Sequence, residues 1–371
     1  LVLIMNKHNI LLIFFTLTLV TVSIFRLHEY TPSISEAIDG VDDWNRYAKQ
    51  GLDIKNNGLL ISSIKSEYNG PGGFLYNYFV ALMFLLFGNK IGPIYIIQSI
   101  LIGLSVALTF LTFKDLLKES TRYLFLGALF SFAIIDVYIN YSHILLSENL
   151  GLFLFSTFIY VFLKGVRQMK PKLLLLATML ITLTALVRPN MIPFVPLYFV
   201  MSLFYMIRNK HNLSGFIILQ CLVIGSVFSL IPLRNYFVTG NFAFLPSEGI
   251  NDSTGQLLNS SPNDFFQKLL FSFGYLSSLV PEYRVRTHWI IMWVGYFILL
   301  VHQIRKIKTI PIWGLFLHMF VATYLFFSIG FSVIESYGYR YMIPINFIIL
   351  SLSMLGFERL KFLINKKKSL K

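Results

Sequence analysis

Long apolar runs separated by short polar connectors make up most of the chain. A helix needs roughly 20 mostly apolar residues to cross the hydrocarbon core of a bilayer. Segments of about this character occur at 10–26, 73–88, 91–113, 123–140, 149–163, 173–187, 191–207, 214–233, 289–303, 311–333 and 341–358. Because lipid cannot satisfy unpaired backbone groups, these runs are predicted to be helices. The pattern predicts an all-α polytopic membrane protein with about 10–11 transmembrane helices.

Composition supports lipid as the main solvent of this chain. Of its 371 residues 56% are hydrophobic and only 13% are charged, with 37 Phe and 20 Tyr. Soluble domains carry about 25% charged residues. We therefore expect a single membrane domain over residues 1–371, with two long polar loops at 27–72 and 234–288. The lone cysteine excludes a disulfide within one chain.

The net charge of +14 is explained by the membrane rather than by nucleic acid, which is not an expected partner. Lys and Arg concentrate in the C-terminal tail and in the connectors at 114–122, 164–172, 208–210 and 305–308, which places these on the cytoplasmic side. The connector 141–149 has no Lys or Arg and is predicted to be external, as are both long loops. Both termini are predicted to be cytoplasmic, with 10–26 as a retained first helix.

This orientation leaves one crossing too many between residues 73 and 113. With the N-terminus inside and the first loop outside, an odd number of crossings must lie there, yet hydropathy shows two apolar segments. We interpret 73–88 as a half-span or re-entrant element, since its many aromatic residues suit the membrane interface.

The first loop contains seven of the 17 acidic residues of the chain. Residues 43–52 predict a short amphipathic helix on the membrane surface, with one face formed by Trp44, Tyr47, Ala48 and Leu52. Asp42 and Asp43 stand at its start. Such carboxylates either cap the helix and favour its dipole, or act as a general base or a ligand of a divalent cation. The loop alone leaves these alternatives open.

Short patches in a fixed order carry a resemblance to a known class of enzymes. They are Asp43 with Tyr47, Gly70-Pro71-Gly72, Leu86-Phe87-Gly88, Ser147-Glu148, Arg188-Pro189, Arg234-Asn235-Tyr236, Gly249-Ile250-Asn251 and Arg340-Tyr341-Met342-Ile343-Pro344. For the acidic residue of the first patch, Asp42 and Asp39 are alternative alignments. In this order the chain resembles the integral-membrane glycosyltransferases of the GT-C class. The similar families are the dolichyl-phosphate-mannose protein mannosyltransferases and the bacterial transferases of aminoarabinose to lipid A.

The resemblance implies transfer of a sugar from a polyprenyl phosphate to a hydroxyl of a lipid, glycan or protein acceptor. The reaction would be an inverting direct displacement on the external side of a bacterial plasma membrane. Asp43 and Glu148 are the candidate catalytic carboxylates, and they are also the candidate ligands should a divalent metal be required. The candidates for binding the donor phosphate are Arg340, Arg234 and Arg188. Supporting roles fall to Asp42, Tyr47, His143, Asn235 and Tyr341.

Each of these residues also has a structural interpretation. An Arg at a helix end often reaches the lipid headgroups, and a lone His beside aromatic residues is more often a packing residue. Two other functions also remain open. A lipid-linked polysaccharide polymerase or ligase would share the external arginines, and a transporter or flippase would share the many spans.

Overall fold

The computed structural model describes residues 33–39, 43–58, 74–117, 144–210, 212–240, 242, 287–305, 312–331, 348–350 and 352–365. All regular secondary structure within these described ranges is helical. The helices are α1 Ile34–Asp39, α2 Asp43–Asn57, α3 Phe74–Phe87, α4 Gly92–Leu117, α5 Ser147–Gln168, α6 Pro171–Val187, α7 Phe194–Arg208, α8 Leu213–Phe228, α9 Leu230–Thr239, α10 Thr287–Ile304, α11 Ile312–Phe331 and, over 348–350 and 352–365, α12. The predicted spans 10–26 and 123–140 lie outside the described residues.

Helix length and composition confirm the fold class predicted from the sequence. Among the described residues, four helices are long and apolar enough to cross a membrane: Gly92–Thr109, Ser147–Gln168, Pro189–Arg208 and Leu213–Phe237. Shorter apolar helices occupy Phe74–Phe87, Pro171–Val187, Ile291–Ile304 and Gly314–Leu325. The chain is an all-α polytopic membrane protein. Helix α3 has 14 residues, and the interpretation of 73–88 as a partial span stays a prediction.

The contacts of the chain divide it into two compact units. The first comprises residues 1–112 and 134–251, and the second comprises 113–133 and 252–371. Helices α1 to α3, most of α4, and α5 to α9 therefore belong to the first unit, and α10 to α12 belong to the second. The expectation of a single membrane domain stays a prediction.

Helix α2 packs against α3 within the first unit. Its buried apolar residues include Tyr47, Ala48 and Ile54, and Trp44 and Leu52 pack beside them as partly buried side chains. The predicted amphipathic face therefore exists, but it is covered by protein rather than lying on lipid, and the helix continues to Asn57. Burying aromatic and aliphatic side chains against α3 stabilises this otherwise polar helix.

Helices α5 and α6 form a tight antiparallel hairpin. Met169 ends α5 in the left-handed conformation, with φ of 52°, and Pro171 begins α6 at a position where its missing N–H costs no hydrogen bond. A Cβ at Gly165 would come within 3.1 Å of Leu173 and Leu174, so this glycine allows the two backbones to approach. The hairpin brings the start of α5 and the end of α6 to the same end of the unit.

Polar side chains join α6, α7 and α8 in the interior of the same unit. The hydroxyl of Tyr198 donates to the carbonyl oxygen of Leu174 at 2.7 Å. The amide nitrogen of Gln220 donates to Thr178 Oγ1 at 2.9 Å and to Ser202 Oγ at 2.8 Å. Gln220 is fully buried, and these bonds satisfy its side chain away from water. They fix the three helices side by side.

The second unit is built on close contact between α10 and α12. The helices approach so closely at Gly295 and Gly356 that a side chain on either would collide with the backbone of the opposite helix. On another face of α10, Tyr296 and Gln303 both lie within hydrogen-bonding distance of the ring nitrogens of His318 on α11. Small residues at such crossings let helices gain dispersion contacts in a membrane.

The substitution Gly356→Ala is expected to destabilise the second unit by about 1–3 kcal/mol, because its methyl group would overlap the carbonyl oxygen of Gly295. Thermal unfolding of the detergent-purified protein measures the effect. Gly225→Ala in α8 is the matched control, since a Cβ there meets no atom within 4 Å. Equal unfolding temperatures for Gly356→Ala and the parent protein would contradict the close packing.

Candidate functional site

A buried ion pair joins the start of α5 to the end of α6. Nη1 of Arg188 lies 3.3 Å from Oε1 of Glu148, and the two side chains are 7% and 2% exposed. Glu148 belongs to the first turn of α5, where a carboxylate also favours the helix dipole. Two charges this deeply buried persist only when they neutralise each other, because each alone would lose its hydration.

The local sequence explains why Arg188 reaches Glu148. Pro189 disfavours the helical conformation at the preceding residue, and Arg188 is extended, with φ of −135° and ψ of 105°. Helix α6 therefore ends at Val187. The Arg188 side chain then crosses α5 over Gly151, where a Cβ would lie 2.9 Å from Arg188 Cδ. Gly151 is thus required by the path of the arginine side chain.

Helix α2 contacts this pair through two hydroxyl groups. The hydroxyl of Tyr47 donates to Ser147 Oγ at 3.4 Å, and Ser147 Oγ donates to Glu148 Oε2 at 3.5 Å. All three side chains are buried. Helix α2, which belongs to the first loop, is therefore linked to the predicted Ser147-Glu148 patch. Tyr47 and Ser147 are 100 residues apart in the chain.

A second link runs from α2 through α3 to the same connector. The rings of Tyr47 and Tyr76 meet edge to face, with their centroids 4.8 Å apart. The Tyr76 hydroxyl donates to the amide oxygen of Gln98 on α4. The amide nitrogen of Gln98 in turn donates to the carbonyl oxygen of Ile144 at 3.0 Å. The connector that precedes Ser147 is thus held from two directions.

Arg234 lies on α9 and contacts both its neighbour and α3. Its Nη1 donates to Asn235 Oδ1 at 3.1 Å. Its guanidinium also lies near the phenolic oxygen of Tyr78, two residues beyond Tyr76. Asn235 is 5% exposed, while Arg234 is only partly buried. The predicted pair Arg234-Asn235 is therefore placed against the helix that packs on α2.

The predicted site residues have different outcomes in the structure. Glu148, Arg188 and Tyr47 are brought together with Ser147, and Arg234 with Asn235 contacts α3. Asp43 is the first residue of α2, one helical turn before Tyr47. Four predicted residues lie outside the described ranges: Asp42, His143, Arg340 and Tyr341. The expected proximity of Asp43 and Arg340 stays a prediction.

Several residues that shape this region were not singled out from the sequence. Gln98 is a polar residue within an apolar run, and a buried amide in such a run needs partners, so it could have been noticed. Gly151 stands one turn after Glu148 on α5, which is a weak signal for close approach. Tyr76 and Tyr78 look like ordinary interface aromatics in the sequence, and only their contacts distinguish them.

Within the described ranges, no three His, Cys, Asp or Glu side chains come close enough together to hold a metal ion. The described partner of Glu148 is a guanidinium, which supplies the positive charge beside this carboxylate. The arrangement can therefore orient hydroxyl groups and hold α2, and Arg234 can offer donors to an anion.

Comparison with known proteins gives one match. Residues 71–232 match the family described as dolichyl-phosphate-mannose-protein mannosyltransferase. The matched region includes Glu148 and Arg188 and ends just before Arg234. Searches of curated proteins and of solved structures returned no match. Over this region, which is less than half of the chain, the protein is similar to the dolichyl-phosphate-mannose-protein mannosyltransferases.

Proposed function

We propose that the protein transfers a sugar from a polyprenyl phosphate to an acceptor hydroxyl on the external side of the membrane, with Asp43 as the general base. The observation that carries the proposal is the contact of Tyr47 with Ser147 at 3.4 Å. It ties α2, which begins at Asp43, to the end of the helix hairpin that contains Glu148 and Arg188. This contact supports the proposal because it joins the helix that begins at Asp43 to the region that matches the family.

The distribution of basic residues supports an external location for this end of the first unit. Arg167, Lys170 and Lys172 lie at the α5–α6 turn, and Arg208 lies at the end of α7. The Tyr205 hydroxyl donates to the carbonyl oxygen of Val166 at 2.8 Å, so these two basic regions are neighbours. Basic residues of short connectors favour the cytoplasmic side. Glu148 and Arg188 occupy the opposite ends of the same helices.

The cationic group that best suits a donor phosphate among the described residues is Arg234. Its guanidinium is only partly buried, whereas the charge of Arg188 is compensated by Glu148. Asn235 accepts a hydrogen bond from it, and the Tyr78 hydroxyl lies nearby. A guanidinium can donate two parallel hydrogen bonds to phosphate oxygens. We infer that Arg234 holds the phosphate of the donor, while Arg340 stays a candidate from the sequence.

The reaction follows from these roles. Asp43 accepts the proton of the acceptor hydroxyl as its oxygen attacks the anomeric carbon of the sugar. The bond between this carbon and the phosphate oxygen breaks, and its electron pair leaves with the polyprenyl phosphate. Arg234 stabilises the charge that develops on the leaving phosphate. A single displacement without a covalent intermediate inverts the anomeric configuration.

Replacing the proposed base tests the mechanism. Asp43→Asn is expected to lower kcat for transfer of radiolabelled sugar from a polyprenyl phosphate by about 10²–10⁴-fold, because the amide cannot accept the proton. Asp53→Asn on the same helix is the matched control and is expected to retain the parent rate, since Asp53 Oδ1 accepts from Asn57 at the far end of α2. Full activity of Asp43→Asn would refute the assignment. Absence of any transfer by the parent protein would favour a transporter.

Replacing the proposed phosphate ligand tests donor binding. Arg234→Gln is expected to weaken donor binding by about tenfold to a hundredfold, because a charge-assisted hydrogen bond to the phosphate is lost. The KM for the polyprenyl-phosphate donor measures this effect. Arg208→Gln removes an arginine from the opposite end of the first unit and should leave this KM unchanged. An unchanged KM in Arg234→Gln would remove this residue from the donor site.

Cysteine labelling tests the proposed orientation. Phe242 and Lys170 are both exposed and lie near opposite ends of the first unit. In a Cys221→Ser background, a membrane-impermeant maleimide is expected to label Phe242→Cys in intact cells. Lys170→Cys should react only after the membrane is permeabilised. The reverse pattern would place Glu148 and Arg188 on the cytoplasmic side.

A further inference from the structure

We propose that Tyr47 is a positioning residue whose hydroxyl, bonded through Ser147 to the Glu148–Arg188 pair, sets the register of α2 and thereby the place of Asp43. This inference rests on the proposed function, because it assigns Tyr47 a role through the proposed base. The contacts that carry it are the hydrogen bonds at 3.4 and 3.5 Å and the ion pair at 3.3 Å.

The chemistry of these groups determines which one donates and which one accepts in each hydrogen bond. An ionised carboxylate only accepts hydrogen bonds, so Glu148 directs the hydroxyl proton of Ser147 towards itself. The Ser147 oxygen is then left as the acceptor for the proton of Tyr47. Arg188 neutralises the carboxylate at the other end of the chain of contacts. Tyr47 is thereby fixed as a donor to Ser147.

Packing around the Tyr47 ring restricts where its hydroxyl can lie. The side chain is 3% exposed, and its ring meets that of Tyr76 edge to face at 4.8 Å. The guanidinium of Arg46 lies over the ring, with Cζ 5.5 Å from its centroid. A ring enclosed in this way has few rotamers that avoid collision. The position of the hydroxyl is therefore closely tied to the position of the α2 backbone.

Tyr47 adds a directional contact to the packing of α2 on α3. The two helices already approach closely at Gly51, where a Cβ would lie 2.5 Å from Val80 Cγ1. Hydrophobic burial changes little with a small shift along the helix axis, whereas a hydrogen bond weakens steeply with distance and angle. Asp43 lies one turn before Tyr47, so a shift of the tyrosine moves the first turn of α2 by a similar amount.

A double-mutant cycle tests the coupling between Tyr47 and Ser147. Tyr47→Phe and Ser147→Ala each remove one end of the same hydrogen bond. Each is expected to lower kcat by about tenfold with the donor KM unchanged, because the base is displaced while the donor site remains. The double variant should be no slower than either single variant. Additive losses, or an unchanged kcat in Tyr47→Phe, would overturn the proposal.

Tyr198→Phe is the matched control for the loss of a buried tyrosine hydroxyl. Its hydroxyl donates to the carbonyl oxygen of Leu174, away from α2, so kcat is expected to stay at the parent value. Amide hydrogen exchange gives a readout independent of activity: Tyr47→Phe should speed exchange in 43–57 and leave 171–187 unchanged. Unaltered exchange in 43–57 would also overturn the proposal.

The same set of variants separates the two ideas. If Asp43→Asn is inactive while Tyr47→Phe and Ser147→Ala behave as the parent, the positioning role fails and the proposed base stands. If Asp43→Asn retains full activity, the proposed base fails, and with it the assignment of Tyr47 as a residue that acts through Asp43.

Discussion

The pairing of a carboxylate with a guanidinium away from water is the constraint on which the rest of the first unit depends. Glu148 and Arg188 are both nearly inaccessible, so neither charge could remain there without the other. Removing one partner of such a pair costs about 3–5 kcal/mol, because the remaining charge is left uncompensated. The pair therefore holds the start of α5 and the end of α6 together. Pro189 and Gly151 serve this contact by freeing the Arg188 backbone from the helix and clearing a path for its side chain.

The pair also distinguishes the described arginines of the first unit by their surroundings. Arg188 compensates a buried carboxylate, whereas Arg234 is partly exposed and donates a hydrogen bond to Asn235. A guanidinium that must bind and release an anion at each turnover needs access to that anion, and Arg234 meets this requirement better. The hydroxyls of Ser147 and Tyr47 extend the influence of the pair to α2. A neutral pair can thus act on the site through geometry without adding net charge to it.

The sequence predicted more of the fold than of the site. The helices at 73–88, 149–163 and 173–187 were located to within a few residues, because long apolar runs in a membrane protein have few other solutions. The sequence also marked Glu148 and Arg188 as candidates, and the assignment of Arg188 to the donor phosphate stays a prediction. Their partnership could not be predicted, since 40 positions of chain separate them and hydropathy carries no information on which polar side chains meet across a hairpin. The apolar face of α2 was identified correctly. The sequence predicted that lipid covers this face, whereas it packs against α3, because an amphipathic face suits lipid and protein equally well.

The sequence by itself determined that the chain is helical and lies in a membrane, because apolar length and the need to satisfy backbone groups leave no other fold class. It also determined the order of the patches that resemble GT-C glycosyltransferases, since these depend only on local residues. Tertiary structure alone decided that α2 packs on α3, that Tyr47 reaches Ser147, and that Arg188 neutralises Glu148. The physical reason is that hydrogen bonds and ion pairs act over a few ångströms, so they depend on how separate helices are placed against each other.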